Sequence, residues 1–152
     1  MKEFTQRNAI TATLFNLIIN IVAPFIIFYK YEFINLKGET PTLVSILMPT
    51  VLISVFATTL ATFVTMTKQR MAHKLEPTLD THISWFSTAL LTSIGLGLAF
   101  TGLCFGLLWL LQSSMANVQL PKLPALLISG VVGAFVAFIS SFIAVNRARR
   151  IG

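Results

Sequence analysis

With 152 residues, 55% of them apolar and only 11% charged, the chain falls well short of the roughly one-quarter charged residues of a soluble domain. All five acids (Glu3, Glu32, Glu39, Glu76, Asp80) and all eleven Lys and Arg lie outside the long apolar runs, which puts most of the chain in lipid and leaves no room for a separate soluble domain. The net charge of +6 therefore reads as loop cations that orient a membrane protein, not as a nucleic-acid surface, which needs a basic soluble domain to carry it.

The N-terminus is short and basic, with Lys2 and Arg7, and then turns apolar. That order resembles a secretory leader, but the apolar part is too long and no clear small-x-small cleavage site follows it, so it is read as an uncleaved first span. Four uncharged stretches follow one another at about residues 8–29, 42–67, 83–112 and 123–146. Each has the roughly 20 residues that a helix needs to cross about 30 Å of hydrocarbon. Barrel strands would be about half as long and would alternate in polarity. The expected fold is therefore an all-α membrane protein, a four-helix transmembrane bundle forming a single domain over residues 1–152, because backbone polar groups in lipid must be bonded internally.

Each span carries a stripe of small or polar residues at spacings of three and four, which bring them onto one helical face. In the first span the stripe is Ala9, Thr13, Asn16, Asn20 and Ala23, and in the second it is Ser54, Thr58, Ala61, Thr62 and Thr65. The third has Ala89, Ser93, Gly97, Thr101 and Cys104, with Gly102 and Gly106 as a GxxxG beside it. The fourth has Gly130, Gly133, Ala137, Ser140 and Ala144. Small residues let backbones approach and polar ones bond between helices, so bundle packing is the plain reading. A polar path or binding crevice is the rival. Pro24 and Pro49 fall within spans and tend to kink them, and such kinks are tolerated without being gates.

The connection after the second span is expected to continue that helix and break near Glu76-Pro77, since the residue before proline disfavours helix. Trp85 and Trp109 lie 24 residues apart, about 36 Å of helix, which matches the distance between two membrane interfaces. Tyr29 and Tyr31 mark the far end of the first span. Eight Lys and Arg (Lys2, Arg7, Lys68, Arg70, Lys74, Arg147, Arg149, Arg150) fall on the side of the termini, and three (Lys30, Lys37, Lys122) on the other. The richer side is expected to be cytoplasmic. The chain also reads as a 2+2 parallel repeat: residues 43–70 align without gaps on 123–150, so that Leu47/Leu127, Val51/Val131, Ala57/Ala137 and Arg70/Arg150 coincide. Hydrophobic segments also align by chance, and the first and third spans match less well.

No Asp, Glu, His, Lys or Arg lies within the spans, and intramembrane catalysis or proton coupling usually needs an ionisable group at depth, so no enzyme is expected. His73, His82, Glu76 and Asp80 share one loop, but their spacing follows no standard ligand pattern. Neither a metal nor another cofactor is expected. Cys104, the one cysteine, reads as packing, since apolar surroundings disfavour a thiolate.

The opening Arg7-Asn8-Ala9-Ile10, followed by Leu14-Phe15-Asn16 and Ile19-Asn20, is similar to the start of small bacterial inner-membrane proteins loosely labelled "permease", whose substrate is unassigned. The resemblance covers the first span. It implies a bacterial inner membrane and a transport-like role, and it brings no binding residues. The leading functional expectation is a transport-type or pore-type protein acting as an oligomer in the bilayer. That oligomer would be a homodimer through Gly102/Gly106 or Gly130/Gly133. The alternative is a non-catalytic accessory subunit that binds a larger membrane partner.

Overall fold

The computed structural model describes residues 1–79, 84–115 and 118–151. Four long helices, α1 (Lys2–Ile27), α2 (Leu43–Met71), α3 (Phe86–Ser114) and α4 (Lys122–Arg149), are each long and apolar enough to cross a membrane. At 26 to 29 residues they measure roughly 39–44 Å, more than the hydrocarbon thickness, so their ends reach the interfaces or the helices tilt. Trp85 is the N-cap of α3. Helix α2 starts at a capping box, in which Thr42 Oγ1 accepts from Ser45 N (3.2 Å) and Ser45 Oγ accepts from Thr42 N (3.0 Å). It ends at Met71, before the break expected at Glu76-Pro77. Asp80, His82 and the expected start of the third span at residue 83 lie outside the described residues.

Two three-residue strands, β1 (Phe33–Asn35) and β2 (Gln119–Pro121), pair antiparallel with Ile34 opposite Leu120. They tie the α1–α2 connection to the α3–α4 connection at the end of the bundle away from the termini, called here the ribbon end. These strands fall outside the all-helical expectation, because three residues are too few to show a period of two. Lysines of this end bond backbone oxygens: Lys122 Nζ donates to Tyr29 O (3.2 Å) and Lys37 Nζ to Gln112 O (3.3 Å).

Helices α2 and α4 form the centre and pack on each other, while α1 lies against α4 and α3 against α2. Exchanging the hairpins α1–α2 and α3–α4 by a two-fold along the bundle maps this packing onto itself, and maps β1 onto β2. The register differs from the gapless alignment. Leu47 is buried where Leu127 is 48% exposed, and Val51 is buried where Val131 is 61% exposed. Ala137 is buried but Ala57 is not, and Arg70 is buried but Arg150 is not. A register of 79 residues superposes the buried faces instead, pairing Ile46 with Ala125, Leu47 with Leu126, Ser54 with Gly133, Thr58 with Ala137 and Thr62 with Ser141. In that register Thr50 and Ser129 are mates, and their hydroxyls meet at 2.8 Å, as residues beside a two-fold axis must. Matching Leu to Leu in apolar segments carries little register information; burial periodicity carries more.

The buried side chains sort by level. Ile34, Leu36, Leu43, Ile46, Leu47, Leu108 and Ala125 close the ribbon end, and Val51, Val55 and Val136 fill the middle. Phe63, Met66, Ala89, Ala144, Val145 and Ala148 lie toward the termini. There Arg70, only 2% exposed, donates from Nε to Pro77 O (2.6 Å) and from Nη1 to Ala148 O and Ile151 O (both 2.7 Å). Carbonyls at a helix C-terminus have no partner within their helix, and a cation there also meets the negative end of the dipole. Arg70 is thus a clamp between two helix ends.

Candidate functional site

Helix α1 packs on α4 but stands off from α2, and three asparagines span the gap. Asn8 Nδ2 donates to Thr62 Oγ1 (2.9 Å) and Ser141 Oγ (2.7 Å). Asn16 Nδ2 donates to Thr58 Oγ1 (3.1 Å) and to Ala12 O of its own helix (2.8 Å). Asn20 Nδ2 donates to Ser54 Oγ (2.9 Å). Thr50 and Ser129 continue the polar line toward the ribbon end. Asparagine is costly to leave unpaired in hydrocarbon, and bonds of this kind contribute about 0.6 kcal/mol each, up to roughly 2.

Close approach of α1 to α4 comes from two glycines. A Cβ on Gly130 would lie 2.5 Å from Ile21 Cγ1 and 3.1 Å from the Leu17 carbonyl oxygen. One on Gly133 would lie 2.8 Å from Asn20 Cγ and collide with its Nδ2. This pair is therefore consumed inside the bundle and is not free to join two copies, which corrects one of the two dimer contacts expected above. Gly97 faces Leu52 and Phe56 of α2, whereas Gly102 and Gly106 have no atom near enough to touch an added Cβ.

Between α1 and α2 this arrangement leaves a groove of about 330 Å³, lined by Asn8, Thr11, Ala12, Phe15, Asn16, Ala57, Thr58, Ala61, Thr62 and Thr65. It shares Asn8, Thr11 and Thr65 with a wider recess of about 630 Å³ at the termini end, where Glu3, Arg7, Gln69 and Lys74 add charge and polarity. The two form one recess, polar at its wide mouth and mostly apolar further in, that reaches the middle of both helices. Beyond Asn16 the Asn20–Ser54 bond crosses the gap, and the apolar cluster of the ribbon end lies further along the bundle. The two-fold places a second groove, about 320 Å³, between α3 and α4. Its walls include Leu91, Leu96 and Ile143, with Thr88, Thr92 and Arg147 as the polar members, and Thr92 bonds back to Thr88 O (2.7 Å). Among the described residues, the asparagine bonds lie on the α1–α2 side alone.

No protein-family model matches the chain. No curated protein and no solved structure matches it either. The site stands on its own geometry.

Of the polar residues expected from sequence, Asn16, Asn20, Ser54, Thr58 and Thr62 come together at the α1–α2 gap. Thr13 Oγ1 turns back to Ala9 O (2.7 Å) and Ser93 Oγ to Ala89 O (2.9 Å). Thr101 and Ser140 have buried hydroxyls without a partner among the described residues, as has Thr59; none of the three lines the groove. Ala137 is buried in α4. Ala23 is exposed, and Pro24 takes the inward position instead. The sequence stripes missed Asn8, Thr11, Thr50, Ser129 and Ser141. A third asparagine in the first span was the available signal for Asn8. The hydroxyl residues had none, since serine and threonine also sit harmlessly in helices by bonding their own backbone.

Proposed function

We propose that this is a transport-type protein of a bacterial inner membrane, with both termini cytoplasmic and the α1–α2 groove as its solute site. One observation carries the reading: a recess enters from the termini end, where Glu3, Arg7 and Lys74 stand, and its uncharged inner part, edged by Asn8, Asn16 and threonines, reaches mid-bundle and stops at the Asn20–Ser54 bond. In a transporter, the same shape is a site open to one side and shut to the other, and a closed ribbon end argues for gated passage over a standing pore. The eight-to-three distribution of Lys and Arg supports the orientation. Reporters active in the cytoplasm should work at the N-terminus and near His73, and periplasm-active ones near Lys37; periplasmic activity near His73 overturns the topology.

The deciding experiment is flux. Proteoliposomes containing only this protein should take up one or more neutral polar solutes faster than empty liposomes, and Asn16→Leu should reduce that uptake while the bundle stays folded. Absence of flux across a broad solute panel, with a stoichiometric membrane partner co-purifying, favours the accessory role. A specific observation supports that second reading: Thr11, Ala57, Ala61 and Thr65, which line the groove, are exposed sideways, where a partner's helix would cover them.

A further inference from the structure

The strongest unassigned feature is the hydrogen-bonding capacity left over in the groove. Asn16 is 3% exposed, and both of its amide hydrogens are engaged, one by Thr58 Oγ1 and one by Ala12 O. Because Ala12 O is a carbonyl and can only accept, this bond fixes which end of the amide is nitrogen. Its carbonyl oxygen Oδ1 accepts from no described residue. Among the described residues, the side-chain oxygens that lack both a partner and any surface are those of Thr59, Thr101 and Ser140. Asn16 Oδ1 is not one of them, so it keeps a small amount of surface, and Asn16 lines the groove. Asn16, which lines the groove together with Ala12 and Ala57, thus carries an acceptor without a described donor, on an amide held by the two bonds of its nitrogen.

Charge is distributed to match. Glu3, Arg7 and Lys74 stand at the wide entrance, and the inner groove has no ionised side chain. An ion moving inward would lose hydration without meeting a counter-charge, a cost that neutral polar groups escape once they are hydrogen-bonded. Resting on the transport reading above, we infer that the groove binds a small neutral solute through an N–H or O–H donated to Asn16 Oδ1. An amide, a urea or a small polyol has that chemistry. Asn16 is then the specificity-determining residue, and the discrimination runs against ions and against molecules that only accept. Sites built to pair a donor reject analogues that lack it more strongly than apolar pockets reject a changed shape.

The wild-type protein in lipid nanodiscs, labelled with ¹³C at the asparagine side-chain carbonyls, tests this without any variant that might fail to fold. Titration with acetamide or urea should shift the Asn16 carbonyl resonance saturably and leave Asn20, which lies behind the groove, unmoved. N,N-dimethylacetamide keeps the acceptor and has no donor, and guanidinium keeps the donors and adds a charge; each should bind at least ten-fold more weakly. An equal response to either analogue, or no saturable response to acetamide or urea because the groove holds water only, overturns the proposal. The reading beneath it fails separately: a saturable Asn16 shift without flux in proteoliposomes leaves the binding site standing and removes transport.

Discussion

Replacing Arg70 with methionine should lower the stability of the bundle by about 3 kcal/mol, taking hydrogen bonds from a charged group at roughly 1.5–3 kcal/mol each and not fully additive. The guanidinium holds Pro77 O, Ala148 O and Ile151 O at once. Methionine fills much of the same space and leaves all three carbonyls without this donor. Lysine keeps the charge but lacks the planar fork that reaches several acceptors in fixed directions, so Arg70→Lys should recover only part of the loss. Arg150, the residue that coincides with Arg70 in the gapless alignment, is exposed, and Arg150→Met should change stability by less than about 0.5 kcal/mol. Unfolding followed by tryptophan fluorescence in detergent separates these variants. Equal effects of Arg70→Met and Arg150→Met would refute the clamp.

The second large effect is expected at the α1–α4 seam. Gly130→Leu drives a side chain toward the Leu17 carbonyl oxygen, which belongs to the backbone and cannot rotate away. Gly133→Leu displaces Asn20 and breaks its bond to Ser54. Overpacking of this kind costs typically 1–3 kcal/mol, and the Gly130 variant should lie at the upper end, near 3 kcal/mol. The same change at Gly102 or Gly106 meets no neighbouring atom and replaces a poor helix former with a good one, so bundle stability should hold or rise. If two copies associate through that outward face of α3, as the remaining dimer contact proposes, Gly102→Leu should convert dimer to monomer in a native-membrane mass measurement while leaving each bundle intact. Equal destabilisation at all four glycines would contradict the packing described here.

The sequence by itself determined the class of this protein. Uninterrupted apolar length forces a helix in lipid whatever its neighbours do, so four spans could be read directly. The inward turn of Asn16 and Asn20 was also legible, because a buried amide in hydrocarbon has to find a partner and two of them one turn apart define a face. Tertiary structure alone decided which partner each face meets. Small-residue stripes look alike on every span, yet Gly130 and Gly133 receive α1, Gly97 receives α2, and Gly102 and Gly106 receive nothing within the bundle. It also decided the register of the two halves, where chance identities among leucines and valines pointed one residue away from the burial pattern. The groove is the clearest case. Its walls come from two helices joined by a connection at the far end, and it exists because α1 leans on α4 and reaches α2 mainly through asparagine side chains. Hydropathy, which carried the reading of the spans, contains no term for the distance between two helices.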